Sequence, residues 1–201
     1  MTTPSKLQII ALGGAGDIGK NMIAFRYEDD LFVVDAGVQF PTEEHPGVDL
    51  IIPDITYLRQ HNSNFRAIVI THAHEDHIGA LPYVLKELPV PVYGTRLALG
   101  LVRMKCEEHR LSTLDLREIT PGQAIEIGQF VVEPIRVTHS IPDTVSLAIH
   151  SPVGTIVHTG DFKIDTSPID GKHFDAKRFA ELGDQGVLLL ISDSATATLR
   201  P

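Results

Sequence analysis

A chain of 201 residues that is 43% hydrophobic can bury one domain-sized core, which excludes a disordered tail. Its single cysteine, Cys106, excludes an internal disulfide framework and fits a reducing cytoplasm; no apolar run approaches the ~20 residues needed to cross a bilayer. The formal net charge of −9 argues against a basic surface built to attract nucleic acid, although two bound dications would offset four negative charges locally.

The opening Met1-Thr-Thr-Pro-Ser-Lys-Leu-Gln8 lacks the charged-then-apolar order of a secretory leader, and neither a repeat nor a long linker divides the rest of the chain. Short β-rich runs predict strands over Leu7–Leu12, Met22–Tyr27, Leu31–Asp35, Ala67–Thr71, Phe130–Val137, Val145–His150, Thr155–Thr159 and Val187–Ser192. Val90–Tyr93 contains Pro91 and reads as an edge or a strand start. Helices are expected over Gly79–Leu88, Leu97–Arg110 and Ala176–Leu182. Early hairpins followed by alternating strands and helices predict a layered α/β body, sheet packed on sheet with helices outside. The run Gly186-Val-Leu-Leu-Leu-Ile-Ser192 reads as a buried strand close to the end of the sequence, so a continuation of the chain is expected there.

The strongest chemical signal is Thr71-His-Ala-His-Glu-Asp-His77, directly after the apolar strand. In an extended chain, residues two apart project to the same side, so His72 and His74 can face one cation. Adjacent residues diverge, so Asp76 and His77 can share a second cation only where the backbone turns. Pro82 is tolerated only in the first turn of a helix, which places a helix start near Ile78 or Gly79 and leaves 72–77 as a loop. His139 and Asp161 each follow a predicted strand, as ligands on a sheet rim would, and Asp161 is the natural bridge between two metals. Asp35, at a strand end, is placed to orient a ligating imidazole. Three histidines and an aspartate within six residues are hard to explain as core packing, because imidazoles facing one point are costly without a cation. Taken singly, His139 and Asp161 would pass for ordinary strand-end polar residues.

Other patterns carry less. Gly14-Ala-Gly-Asp-Ile-Gly19 matches a dinucleotide fingerprint, but a phosphate-cradling loop must open a helix, whereas Met22-Ile-Ala-Phe-Arg-Tyr and Leu31-Phe-Val-Val read as a hairpin around Glu28-Asp-Asp30. Those glycines are expected to let the backbone pass close to the metal rim or a substrate. Cys106 and His109 are read as structural, and His45, His61, His150, His158 and His173 as core or surface residues.

Thr71-His-Ala-His-Glu-Asp-His77 with Asp35, His139 and Asp161 resembles the first four motifs of the metallo-β-lactamase superfamily. Gly13–Met22, Pro46–Asp54, His139–Asp143 and Thr159–Lys163 are similar to its ribonuclease J branch. The resemblance runs over nearly the whole chain. It implies an αββα sandwich, incomplete at the C-terminus, with residues 1–201 forming the N-terminal portion of the metallo-β-lactamase domain. Residues 192–201 would begin the connection to a missing β-CASP domain, with Asp193 on its opening acidic motif; the branch usually continues Ser-Asp-Ser-Thr-Asn, whereas this chain reads Ser192-Asp-Ser-Ala-Thr196. His72, His74 and His139 would hold one zinc, Asp76 and His77 the other, with Asp161 between them; manganese or magnesium are alternatives. A later histidine completing the second site would lie beyond this sequence.

The activity so implied is endonucleolytic and 5′-to-3′ exonucleolytic hydrolysis of RNA in the cytoplasm by a homo-oligomer, with no membrane involved. A two-metal site activates water as the nucleophile, and in-line attack at phosphorus would leave a 5′-phosphate and a 3′-hydroxyl. Asp76, His77 and Asp161 would be the residues closest to that chemistry. Two other readings stand beside it: a thioester or lactone hydrolase on the same fold, which the −9 charge favours, and a catalytically incomplete metal-binding piece.

Overall fold

The structure is a computed structural model that describes residues 5–195. The first four residues of the opening stretch and positions 196–201 of the expected connection lie outside them. β1 (Leu7–Gly13), β2 (Met22–Tyr27) and β3 (Asp30–Val34) form an antiparallel meander; β4 (Phe65–Val69), β5 (Val92–Gly94) and β6 (Leu116–Glu118) extend the same sheet in parallel. The expected hairpin is present, with Tyr27 opposite Asp30 and Glu28 turning the chain at φ 53°. The second sheet is an antiparallel run of β7 (Ile125–Ile127), β8 (Phe130–Arg136), β9 (Val145–Ser151) and β10 (Gly154–His158), to which β11 (Leu189–Ile191) adds a parallel edge.

Alternating apolar side chains bury the facing sides of the two sheets against each other. Phe25, Phe32, Phe130, Val69, Leu147 and Ile156 share that inner core, Phe32 stacking on Phe25 at 5.2 Å and meeting Phe130 edge-on at 5.0 Å. Each such side chain, fully buried, contributes about 1.5–3 kcal/mol relative to exposure. On the outer face of the first sheet, α1 (Thr56–Gln60), α3 (Leu81–Glu87) and α4 (Arg96–Glu108) cover a second cluster that includes Leu58, Leu81, Val84, Val102 and Cys106. α5 (Ala176–Gln185) closes the other side over Ile135, Ala148 and Val157 through Leu182. The layer order is helix, sheet, sheet, helix, as expected of an αββα sandwich.

Two sequence expectations change. The short α2 (Glu75–Ile78) precedes α3, so Asp76 and His77 sit in a helical turn and only residues 72–74 run as loop. Pro82 limits how far α3 extends backward but does not forbid a separate turn before it, and Ala80 N–H leaves the helical ladder to donate to Ala36 O at 2.8 Å. Val187–Ser192 is not a buried strand: β11 spans three residues on a sheet edge, where Leu188 and Leu190 are 58% and 60% exposed. Finally α1, β6 and β7 carry no expectation from sequence, since stretches as short as Leu116-Arg-Glu118 hold too little alternation to register.

The two sheets meet at one rim. β3 and β4 run parallel, and β8 and β10, each antiparallel to β9, share a direction with each other. Val145 N–H donates to Thr71 O at 3.0 Å across the two layers, and at Gly160, with φ 55°, an added Cβ would stand 3.0 Å from Thr71 Cβ. This contact brings the exits of β4 and β10 together.

Candidate metal centre

Each chemically informative residue leaves the C-terminal end of a strand or follows it closely: Asp35 after β3, His72 and His74 after β4, His139 after β8, Asp161 after β10 and Asp193 after β11. α2 then presents Asp76 and His77 beside them. The turn is pinned from outside its own ladder: Val38 N–H donates to Glu75 O at 3.1 Å, Asn21 N–H to Asp76 O at 3.0 Å and Ala36 N–H to His77 O at 2.7 Å. Gly37 passes against this turn so closely that a Cβ there would overlap the Asp76 carbonyl oxygen. Glu75 and Asp76 occupy its first turn, offsetting the positive helix end near which a cation would sit.

Two groups of donor atoms converge, within 4.8 Å of one another in each: His72, His74, His139 and Asp161, and Asp76, His77 and Asp161. His72 Nε2 and His139 Nε2 stand 3.0 and 3.2 Å from His74 Nδ1. Asp161 Oδ2 is 3.6 Å from His139 Nε2 and 3.9 Å from His72 Nε2, while its Oδ1 is 3.3 Å from His77 Nε2. Asp76 Oδ2 lies 3.6 Å from His77 Nε2. Donors placed tetrahedrally at about 2.0–2.1 Å from zinc are about 3.3 Å apart, so these separations fit a dication in each group. Hydrogen bonding does not account for three imidazole nitrogens aimed at one point, because a neutral ring has only one N–H to offer. The donor set of imidazoles and carboxylates suits zinc and related divalent ions.

The surroundings orient these rings. Asp35, buried and held at φ 60°, accepts from His77 Nδ1 at 2.7 Å through Oδ2, which leaves His77 Nε2 toward Asp76 and Asp161. The same carboxylate accepts from Thr71 N–H and Thr71 Oγ1, both at 2.8 Å, and Thr71 Oγ1 lies 3.1 Å from His72 Nδ1. Burial, and secondarily the His77 charge, pushes the His72 imidazole down to about 2, so it is neutral and free to ligate. Burial alone would lower His77 as well, but the Asp35 and Asp161 carboxylates outweigh it and hold that ring protonated up to about 10. His77 must shed one proton to serve as a ligand. Burial would raise Asp161, yet its hydrogen bond to His77 and the surrounding imidazoles pull it to about 2.

Asp193 donates its backbone N–H to Thr159 Oγ1 at 2.9 Å and joins Asp35, Asp76, His77 and Asp161 in lining a cavity of about 550 Å³. Two further residues belong to this environment that the sequence does not single out. Asn21 Nδ2 lies 3.1 Å from both Asp76 O and His77 Nε2. An asparagine preceding a strand carries no signal of its own in one sequence. His158 is not the isolated histidine its strand suggests: it lines the same cavity, its Nδ1 accepts from Gly160 N–H at 3.1 Å, and burial lowers its pKa. Elsewhere His61 packs on Tyr57 and His109 on Tyr83, and Cys106 is a buried free thiol. The glycine-rich loop of residues 13–19 lines the cavity and leads into β2, not a helix.

Residues 15–188 match the family model described as the Metallo-beta-lactamase superfamily. The chain is 51% identical to ribonuclease J of Thermus thermophilus, over 95% of its own length and 35% of that protein. It is 48% identical to ribonuclease J of a Synechocystis species, over 98% of itself and 31% of the relative. The chain thus spans about a third of the length of these curated relatives. Among solved structures, a protein of unknown function from Enterococcus faecalis V583 superposes with a TM-score of 0.71 at 18% identity, over 98% of this chain and 52% of that one. A metallo-β-lactamase of Cronobacter sakazakii gives a TM-score of 0.55 at 15% identity over 86% of this chain and 73% of that one, which speaks to the fold alone.

Proposed function

This chain belongs to the metallo-β-lactamase superfamily, and from that premise we propose that it is the metal-binding part of a ribonuclease that hydrolyses RNA phosphodiesters with two divalent cations, most simply zinc. One observation carries the reading: two groups of donors, four and three strong, share the single carboxylate of Asp161 on an open rim. The similarity to ribonuclease J supports RNA as the substrate; endonucleolytic and 5′-to-3′ exonucleolytic cleavage in the cytoplasm by a homo-oligomer complete the proposed reading. No helix among the described residues is long and apolar enough to cross a membrane.

In this reading His72, His74, His139 and Asp161 hold one cation, and Asp76, His77 and Asp161 the other. Bound there, a cation pair supplies Lewis acidity toward a phosphodiester and an activated water. The chain's own residues do the positioning. Asp35 fixes the His77 ring by taking its Nδ1–H, Thr71 ties that carboxylate to the loop carrying His72, and Asn21 braces the backbone of Asp76. Asp161 spans both groups, its two oxygens facing different imidazoles. The three-donor group, Asp76, His77 and Asp161, would be completed by the later histidine that the family resemblance places beyond this sequence.

The test is release of 5′-monophosphorylated nucleotides from RNA by the full-length protein, lost in His77→Ala. Cleavage of thioesters or lactones with RNA untouched would establish the small-molecule alternative, which the −9 charge favours. Fewer than two tightly held metals would leave the incomplete-domain reading in its place.

A further inference from the structure

Phe40 is 62% exposed and Ile18 is 73% exposed, and the residues beside Phe40 are firmly tied. Gln39, next to Phe40, exchanges backbone hydrogen bonds with Ile51 at 2.8 and 2.9 Å. Its side-chain amide donates to Asp17 Oδ2 at 3.0 Å, beside Ile18. Gly19 packs against it so closely that an added Cβ would lie 3.1 Å from Gln39 Cα. One residue earlier, Val38 bonds to Glu75 O on α2 and accepts from Lys20 N–H at 2.8 Å. The loop bearing Phe40 is therefore joined both to the helical turn of Asp76 and His77 and to the glycine-rich wall of the cavity, which Ile18 lines. Gly37 abuts the Asp76 carbonyl, and three residues of chain reach at most about 11 Å, so the Phe40 backbone stays within that reach of the turn.

Charge narrows the purpose of such an aromatic. With a net charge of −9, and with Lys20 already paired to Asp17 at 3.6 Å, this part of the surface offers little to neutralise a polyanion's phosphates. Stacking on a base needs no positive charge and tolerates any sequence, and one exposed ring on an anchored loop can supply it. We infer that Phe40 is a stacking platform that positions a base flanking the scissile phosphate of single-stranded RNA; this rests on the ribonuclease reading above.

The experiment is a double-mutant cycle on the full-length protein. Wild type, Phe40→Ala and Phe40→Trp are assayed on a short 5′-monophosphorylated single-stranded RNA and on versions carrying one abasic ribose at each position beside the cleavage site. Phe40→Ala should raise KM about tenfold and Phe40→Trp restore it, while one abasic position raises the wild-type KM similarly and leaves the alanine variant unchanged. Additive effects at every position overturn the inference with the nuclease reading intact. So does a lowered melting temperature of Phe40→Ala accompanied by additive abasic effects, the mark of a ring buried against another domain. A wild type that does not cleave RNA overturns both.

Discussion

Asp35 Oδ2 and His77 Nδ1 stand 2.7 Å apart, joining the end of β3 to the α2 turn through a buried carboxylate with a left-handed backbone. Asparagine tolerates that backbone and keeps one acceptor, but it removes the charge that fixes the ring. Asp35→Asn is expected to keep the fold and weaken the affinity of the Asp76–His77 group for zinc about 10–100-fold. Competition with a chelator of known affinity measures it; unchanged affinity would mean that the pair does not support a ligand.

Asp161 belongs to both donor groups, whereas Asp76 belongs to one. We expect Asp76→Ala to keep one metal at near wild-type affinity and Asp161→Ala to keep at most one, held more weakly by its three remaining histidines, read by elemental analysis and chelator competition after dialysis. Equal losses in the two variants would argue against a shared carboxylate.

Gly37 and Gly16 make a matched pair for the backbone. A methyl at Gly37 would collide with the Asp76 carbonyl, while Gly16, at φ 76°, has open space around it. Gly37→Ala should cost about 3 kcal/mol and disturb metal binding, because a backbone carbonyl cannot swing aside. Gly16→Ala should cost only about 1 kcal/mol, for its positive φ. Chemical denaturation of both variants, with their metal content, checks the ranking.

Arg178 grips Glu133 through two hydrogen bonds, both 2.8 Å, and its guanidinium holds the Glu133 carboxyl below its ordinary value of 4.5. A carboxyl with a lowered folded pKa stabilises the native state above its unfolded value and loses that contribution as pH falls through the folded one. Glu133→Gln should therefore cost about 1–2 kcal/mol at pH 7, and the gap to wild type should shrink below pH 4.5. Urea unfolding at several pH values reads this out; a gap that grows in acid would refute it.

Much was legible in the amino-acid order alone. Period-two alternation located most of the longer strands, and the spacing of His72, His74, Asp76 and His77 announced cation chemistry, since local geometry decides which neighbours can face one point. What only the tertiary structure decided is everything that depends on two distant segments meeting. The 2.7 Å contact of His77 with Asp35, the bracing of Asp76 by Asn21 and the inclusion of His158 in the rim all join positions at least 42 residues apart or on different sheets. Short elements such as α2 exist because Ala36, Val38 and Asn21 satisfy backbone groups that its single turn cannot satisfy itself. A local pattern encodes which residues can act together along one strand; only packing of the two sheets sets which of them share a centre.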